Sequence, residues 1–367
     1  MRAHCWQAVC ETPNREQKER ATILGTDSMR SPASQQHTLC QNQASNPQQM
    51  QEPLCPSDTQ QKGNQDWMSN LPASLWDVPL YNLSIPGSHD TMSYCLDKTS
   101  PISPEAPKVA FLLDQYVPSI VRNFIYKWSR TQYLSIKEQL DSGIRYMDLR
   151  IAIRPDDPSQ NFYFVHGLYT SVTVEVILQD ILRWLQIHPK EVLLLSCRDL
   201  IGIPPILYTH FIRTIHKILG PKLCPKNETP TLRKMWKQGY QVIVCDGSIL
   251  QMVDEYLWPP IPYLWANTTS TRFLIHFLEK EKQNGRPAGF FTAGLNLTED
   301  SLYILRHPFG SIRKLTLPKL PFLYKWVQNQ HAGPQKDAIN IIAEDLIGAD
   351  SFVSAVINLN RKLLADP

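Results

Sequence analysis

The chain has 367 residues, of which 43% are hydrophobic and 19% are charged, and its formal net charge is +3. This length suits one large or two ordinary globular domains, and the near-neutral charge excludes both a basic nucleic-acid-binding surface and a strong general attraction to anionic lipid. The sequence has no apolar run of about 18 residues and no apolar leader, so neither a transmembrane helix nor a secretory signal is predicted. With its scattered cysteines, this favours a cytoplasmic protein with reduced thiols.

Residues 1–65 differ in composition from the rest of the chain. They are rich in Gln, Ser, Asn and Pro and have little apolar periodicity. Such a segment buries too little surface to offset the entropy of ordering it, so a disordered tail is predicted there, followed by one folded domain over residues 66–365. The spacing of Cys5, Cys10, Cys40 and Cys55 matches no zinc-binding pattern.

From Trp67 onward, apolar runs alternate with amphipathic stretches. Seven runs are predicted as strands: residues 82–85, 144–152, 162–166, 192–197, 240–246, 289–297 and 338–345. Most are continuously apolar, which is typical of parallel strands buried on both faces. Helices are predicted at residues 174–185, 206–220, 271–285 and 351–364. The alternation predicts an α/β fold, a distorted TIM-type (β/α) barrel in a single domain, with a doubly wound open sheet as the alternative.

Titratable side chains stand at the ends of these predicted strands. In chain order they are His89 and Asp90, Asp148 and Arg150, His166, Arg198 and Asp199, Asp246, and finally Glu344 and Asp345. Any one of them has a structural role more often than a functional one. The carboxyl ends of barrel strands meet at one face, however, so the joint pattern predicts a site there.

The residue types in this set indicate a reaction class. Two imidazoles can remove and supply a proton near neutral pH, and a guanidinium stabilises a charged phosphoryl group through its fork of donors. Neighbouring carboxylates orient the imidazoles. The set therefore predicts cleavage of a phosphodiester by an internal hydroxyl, with His89 as a catalytic acid or base.

Four segments carry a resemblance to a known family: "LSIPGSHDTMSYCL", "QLDSGIRYMDLRIA", "FVHGLYT" and "NIIAEDLIGAD". In this order they resemble the X domain of phosphatidylinositol-specific phospholipase C, most closely that of the small X-domain-containing proteins of animals. The resemblance covers about residues 66–365. It implies a distorted β/α barrel and a phosphoric diester hydrolase that meets its phospholipid substrate at a membrane surface, peripherally and transiently.

The resemblance also implies roles for the reacting residues. His89 would take the proton from the inositol 2-hydroxyl, which then attacks phosphorus. His166 would protonate the departing diacylglycerol oxygen, leaving a cyclic inositol phosphate. Arg150 would stabilise charge on the non-bridging phosphate oxygens.

Four further residues would support these three. By the resemblance, Asp345 would orient His89 and Asp90 would support His166. Asp148 would lie beneath the phosphate and Arg198 near the inositol ring.

X domains occur in two kinds, and the motifs resemble the metal-independent bacterial kind. The calcium-dependent kind has Asn after the first histidine, where this chain has Asp90, and a metal-binding carboxylate where this chain has Arg150. A guanidinium there replaces the charge of a cation, so no metal and no cofactor are predicted. A barrel phosphodiesterase with a divalent metal is one alternative, against which Arg150 argues. The second alternative is an X domain that binds inositol lipid with little or no turnover. It stays open because Cys245 and Asp246 replace a basic residue that some bacterial members offer to inositol.

An insert at residues 100–132 separates the first two motifs. Its apolar and aromatic residues include Phe111, Leu112, Phe124, Tyr126 and Trp128. These predict either a rim that touches lipid or a helix packed on the barrel, of which the packed helix is favoured. Trp258 and Trp265 present the same two alternatives, again with packing favoured.

Overall fold

The computed structural model describes residues 63–106, 108–201, 203–248 and 252–364. The predicted disorder of residues 1–65, with its four cysteines, lies almost wholly outside the described residues and stays a prediction. Within that range, Asn64 and Gln65 contact the folded domain: Asn64 Nδ2 donates to Ser354 Oγ at 3.0 Å, and Gln65 O accepts from Arg145 Nη2 at 2.6 Å.

The described residues form ten β-strands, all in one sheet. They are β1 (Ile85–Ser88), β2 (Tyr146–Ile153), β3 (Phe162–His166), β4 (Leu168–Thr173), β5 (Leu193–Ile201), β6 (Val242–Asp246), β7 (Leu257–Trp258), β8 (Tyr263–Leu264), β9 (Thr292–Gly294) and β10 (Ile341–Glu344). Eight of them follow the chain order around a parallel ladder, in which β1 pairs with both β2 and β10. The first and last of the eight are thus neighbours, and the predicted β/α barrel is confirmed.

The distortion of the barrel is a seam between β7 and β8. Among the described residues, each strand of the ring pairs with the next one, except that β7 and β8 do not pair with each other. The connection between them has the sequence Pro-Pro-Ile-Pro at residues 259–262, and five residue steps span at most about 18 Å. The short connection therefore limits how far the two edges of the sheet can separate. Three prolines, which have no N–H group to donate, lie where the ladder would otherwise close.

Strands β3 and β4 form an antiparallel hairpin beside β2 and are outside the ring. The prediction that His166 ends the third barrel strand is therefore wrong, because a continuous apolar run does not reveal strand direction. Gly167 makes the turn of the hairpin with φ 70°. A Cβ atom at Gly167 would lie 2.3 Å from Ser129 Oγ, so both the backbone angle and the space require glycine.

The first strand lies three residues later than predicted. Residues 82–85 were expected to form it, but Leu80–Asn82 is a 3-10 turn and the strand is Ile85–Ser88. The strand runs through Pro86 and Gly87. Gly87 pairs with Tyr146 on β2, and a Cβ there would lie 2.6 Å from the Tyr146 ring, so the close approach of the two strands needs this glycine.

The described residues include eleven α-helices, which pack around the barrel. They are α1 (Lys108–Asp114), α2 (Pro118–Ser129), α3 (Ile136–Ser142), α4 (Val174–Ile187), α5 (Pro205–Leu219), α6 (Leu232–Gln238), α7 (Thr271–Asn284), α8 (Ser301–Arg306), α9 (Ile312–Thr316), α10 (Leu320–Gln328) and α11 (Phe352–Leu359). Helices α4, α5, α7 and α11 correspond to the four predicted ones. A search of the described residues finds no helix with the length and apolar content needed to cross a membrane.

The insert is packed in one part and exposed in the other. In α2, Val121 and Trp128 are buried, as the favoured interpretation expects. Helix α1, by contrast, buries none of its residues, and Leu112 is 60% exposed. Trp258 is buried and donates to Cys224 O at 2.8 Å.

Alternation along the strands separates the core into an interior and an outer part. Interior positions carry Ile85, Tyr146, Leu194, Ile243 and Ile341, which form one buried cluster. The outer faces of the strands pack against the helices through two further clusters. At the carboxyl ends of the strands the interior positions become polar, since Asp148 follows Tyr146 and Ser196 follows Leu194 at a spacing of two residues.

Candidate active site

Strand parity decides which of the predicted titratable residues enter the barrel. Asp148 and Arg150 lie on the interior parity of β2, and Asp345 follows the interior Ala343. Asp246 has the opposite parity and bonds Tyr208 on α5 and Ser248.

Two of the strand-end residues therefore lie outside the site. Asp246 faces the helices, and Glu344 alternates with Asp345 and is buried away from the histidines, where burial and the charges of Asp350 and Asp345 raise its pKa well above the usual range. The side chain of Asp199 lies outside the described residues.

His89 follows β1 and is held by Asp345, which follows β10. His89 Nδ1 lies 2.8 Å from Asp345 Oδ1, and since a carboxylate accepts, Nδ1 carries a proton and Nε2 is the atom that faces the site. Burial lowers the pKa of His89, but the carboxylates of Asp90 and Asp345 outweigh it, so the pKa is raised above 6.5. Burial raises the pKa of Asp345 in turn.

Asp90 lies between the two histidines. Its Oδ2 is 3.3 Å from His89 Nε2 and 3.2 Å from His166 Nε2, and its Oδ1 is 2.6 Å from Arg150 Nε. Burial disfavours its charge, but Arg150, His166 and His89 outweigh burial and hold its pKa far below the usual range. The backbone of Asp90 has φ 43°, a conformation that costs a non-glycine residue about 1–3 kcal/mol. The strained backbone of Asp90 thus places its carboxylate between the two histidines.

His166 reaches the site from the hairpin. It lies two residues beyond Phe164, which pairs with Ile151, so the antiparallel strand returns it to the level of Leu149, the neighbour of Arg150 in the chain. Its Nδ1 donates to Ser129 O at 2.7 Å, which leaves Nε2 as the atom facing Asp90. Burial, Arg150 and His89 together lower the pKa of His166 despite the charge of Asp90.

The two arginines lie on neighbouring strands, beside the carboxylates. Arg150 Nη2 is 3.4 Å from His89 Nε2, and Arg198 Nη1 is 3.6 Å from Asp148 Oδ2. The register between β2 and β5 shifts by one residue next to Arg150, and Arg198 is the extra residue. Such bulges are common beside active sites, where they redirect side chains.

The structure brings all seven predicted site residues together, and two further residues join them that sequence reasoning missed. The Tyr263 ring lies 6.2 Å from the His89 ring and 4.3 Å from the Arg198 guanidinium. Glu299, partly buried in the loop after β9, has its pKa raised to about 7 by burial and by Asp345. Tyr263 lies inside the apolar stretch in which only tryptophans stood out, and no pattern marks Glu299.

Three of the site residues have a donor set that could hold a cation. Ligand atoms of His89, Asp90 and Asp148 lie within 4.8 Å of one another. Arg150 already lies against Asp90, however, and Arg198 against Asp148. Two fixed guanidinium groups offset the charge that would attract a divalent ion, so the residues fit an arginine-neutralised site better than a metal centre.

Comparison with known proteins gives the family. The family model PI-PLC X 1 matches residues 123–272. PI-PLC X domain-containing protein 1 of Homo sapiens is 52% identical over 303 residues, which cover 82% of this chain and 94% of that protein. The chain belongs to the PI-PLC X domain family. The protein of the same name in Danio rerio is 44% identical, over 81% of this chain and 97% of that one.

Solved structures of low sequence identity share the fold of this PI-PLC X domain. A phosphatidylinositol-specific phospholipase C from Listeria monocytogenes superimposes with a TM-score of 0.57 at 18% identity, over 81% of this chain and 98% of that one. A variant of the enzyme from Staphylococcus aureus gives a TM-score of 0.56 at 16% identity, over 82% and 99%. The TIM-type architecture is therefore common to this chain and the bacterial enzymes.

Proposed function

We propose that this protein is a metal-independent phosphodiesterase of the phospholipase C type, acting on phosphatidylinositol or a related glycerophospholipid. The observation that carries the proposal is the carboxylate of Asp90, whose Oδ2 lies 3.3 Å from His89 Nε2 and 3.2 Å from His166 Nε2. Two imidazoles this close, with Arg150 beside them, can exchange protons with the attacking and leaving oxygens of one phosphate group.

In the first step, a headgroup hydroxyl attacks phosphorus. His89 Nε2 removes the hydroxyl proton, while Nδ1 keeps its bond to Asp345, so the imidazolium that forms is stabilised by a buried carboxylate. The new oxygen–phosphorus bond closes a cyclic phosphate, and negative charge grows on the non-bridging oxygens. Arg150 Nη2 lies 3.4 Å from His89 Nε2, so its guanidinium is close enough to stabilise these oxygens.

In the second step, the bond between phosphorus and the diacylglycerol oxygen breaks. The leaving alkoxide needs a proton, which His166 Nε2 supplies. A protonated His166 is well placed for this, since Nδ1 donates to Ser129 O and Nε2 faces Asp90. After the step His89 carries one more proton and His166 one fewer, and proton exchange with water restores both.

Charge balance supports a reaction without a metal. Asp90, Asp148 and Asp345 face Arg150, Arg198 and the two imidazoles within one buried cluster. When one imidazole is protonated the cluster is neutral. In the reactive form this one proton lies on His166, the acid that the leaving group requires, and His89 is neutral and can act as the base.

The membrane would be met through an apolar surface beside the site, here called the α1–α2 surface. Its seven large exposed residues are 37% to 81% exposed: Val109, Phe111, Leu112, Leu113, Tyr116, Val117 and Ile120. Exposed Lys108 and Lys127 flank it. Apolar residues flanked by lysines are typical of helices that lie in a lipid interface. Helix α2 runs from this surface to Ser129, whose carbonyl holds His166, so one helix connects the surface to the site.

The proposal is tested by turnover of phosphatidylinositol vesicles in excess EDTA, comparing wild type with His89→Ala. Inositol phosphate release that survives the chelator and is lost in the variant supports it. Release that EDTA abolishes and calcium or magnesium restores would instead assign a metal to His89, Asp90 and Asp148.

The second candidate is an X domain that binds inositol lipid without useful turnover. The observation that favours it is Cys245, which occupies an interior position of β6 opposite Ser196 and offers the headgroup no charge. Vesicle binding that free inositol phosphate competes for, with no product even at high protein concentration, would favour this candidate.

A further inference from the structure

A buried segment after helix α2 contacts the His89–Asp345 pair from behind. It consists of Thr131 and Gln132, which are 2% and 0% exposed. Neither side chain titrates, and neither takes part in the proton transfers proposed above. Together they make hydrogen bonds to the carboxyl ends of both β1 and β10.

The Gln132 amide makes three hydrogen bonds at this point and uses both of its donors. Nε2 donates to His89 O and to Glu344 O, both at 2.9 Å, and Oε1 accepts from Ile347 N at 3.1 Å. Backbone carbonyls only accept and a backbone N–H only donates, so the orientation of the amide is fixed. The position needs two donors and one acceptor at the reach of a glutamine side chain.

A chain of hydroxyl groups supports the same carbonyl. Ser93 Oγ accepts from the backbone N–H groups of Thr131 and Gln132, at 3.1 and 2.9 Å. Its own proton is then available for Thr131 Oγ1, 2.7 Å away, and Thr131 Oγ1 donates to His89 O at 3.1 Å. His89 O therefore receives two side-chain donors from one buried segment.

These bonds act where the β-ladder stops. The last paired residues of β1 and β10 are Ser88 and Glu344, and His89 N donates to Glu344 O at 3.2 Å. Beyond this point both chains turn through positive φ, at Asp90 (43°) and at Leu346 (58°). The contact between His89 and Asp345 thus lies just past the regular strand pairing. Gln132 bonds Glu344 O and Ile347 N, so its hydrogen bonds hold the backbone on both sides of Asp345.

We propose that Gln132 is a positioning residue, which fixes the His89 backbone relative to the Asp345 loop and so holds the imidazole on its carboxylate. Side chains that orient a reacting group in this way commonly affect activity by about 10- to 100-fold when removed. The inference rests on the proposed function for the role of His89, but the geometry of the pair can be measured without turnover.

The test is Gln132→Met, which keeps the length and approximate volume of the side chain without donors, acceptor or charge. A matched control is Gln241→Met. Gln241 is also a buried glutamine whose Nε2 donates to backbone carbonyls, those of His188 and Glu191 at 2.9 and 3.1 Å, but at the amino end of the barrel. Two readouts apply: kcat and KM on phosphatidylinositol vesicles, and the pKa of His89 from the titration of its ring proton by NMR.

In Gln132→Met we expect kcat to fall by about 10- to 100-fold with KM unchanged, and the pKa of His89 to fall toward its ordinary value as Asp345 is held less closely. Gln241→Met should leave both unchanged. A folded Gln132→Met protein with the wild-type His89 pKa and kcat overturns the proposal, as does an equal change in the control.

If Gln132→Met does not fold, Thr131→Val decides, because it leaves Gln132 in place and removes the hydroxyl donor to His89 O, together with the bonds of that hydroxyl to Ser93 Oγ and Asp90 O. A folded Thr131→Val protein should show the same two changes to a smaller extent, and wild-type behaviour would overturn the proposal. If the wild type itself shows no turnover, the proposed function fails, and the His89 pKa in the same variants still decides whether the segment positions the pair.

Discussion

Replacing Asp345 by Asn is the most informative single change, because it keeps the shape of the side chain that orients His89. The pKa of His89 is raised above 6.5, since Asp90 and Asp345 outweigh burial, whereas that of His166 is lowered. The proposed base, His89, must be neutral, and the proposed acid, His166, must be protonated. Since His89 has the higher pKa, this reactive combination of protonation states is the less populated one. In such a case kcat/KM still follows a bell, whose alkaline limb titrates with the higher pKa, that of His89.

The structure sets the direction and size of the effect. Removing the Asp345 charge lowers the pKa of His89, so the alkaline limb of the bell moves to lower pH. The 2.8 Å bond to Asp345 is buried and strengthens as the imidazolium forms. Hydrogen bonds to charged groups are worth about 1.5–3 kcal/mol. At 1.4 kcal/mol per factor of ten, we expect kcat/KM to fall by about 10- to 100-fold.

The assay is the pH profile of kcat/KM on phosphatidylinositol vesicles in EDTA for wild type, Asp345→Asn and a control, Asp156→Asn. Asp156 is a partly exposed carboxylate that pairs with Arg154, and its replacement should leave the profile in place. An alkaline limb at the wild-type pH in Asp345→Asn, or an undiminished rate, would refute the reasoning.

Three further predictions concern the phosphate, the membrane and the amino end of the barrel. Arg150→Lys removes the planar fork and should lower kcat by about 100-fold with little change in vesicle binding; near-normal kcat would contradict it. Leu112→Asp should weaken vesicle partitioning by about 10- to 100-fold, since burying a leucine is worth about 1.5–3 kcal/mol. The equally apolar Ile187, 74% exposed at the end of α4, is its control, and equal losses would contradict a specific docking surface. Arg145→Met leaves Glu191, its buried partner at 2.8 Å, without a counter-charge and should lower the free energy of unfolding by about 3–5 kcal/mol. An unchanged urea midpoint would contradict this.

The sequence predicts which side chains meet at the candidate site because its motifs are local and alternation along a strand is regular. Asp148 and Arg150 share a face in the sequence and in the structure. Adjacent residues are harder to separate: Glu344 and Asp345 are equally plausible from the sequence, and only the strand register places one beside His89 and turns the other away. The predicted placement of Asp246 at the site is wrong for the same reason. The face of the strand that a residue occupies is known only once the start of the strand is fixed.

Other features have no local signal in the sequence. The hairpin that carries His166 reads as another parallel strand, since its apolar run contains no information on direction. Tyr263 and Gln132 reach the site through contacts with residues far away in the chain. Their roles depend on how the barrel closes, which a single sequence does not reveal.

The seam between β7 and β8 has a consequence for how the molecule behaves among its own copies. A closed barrel has no sheet edge, whereas an open one has two, and bare edges invite strand addition and aggregation. Here both edge strands are only two residues long, and the prolines of residues 259–262 flank them. A short edge bordered by prolines is a poor template for another strand, so the open barrel does not favour strand addition or aggregation.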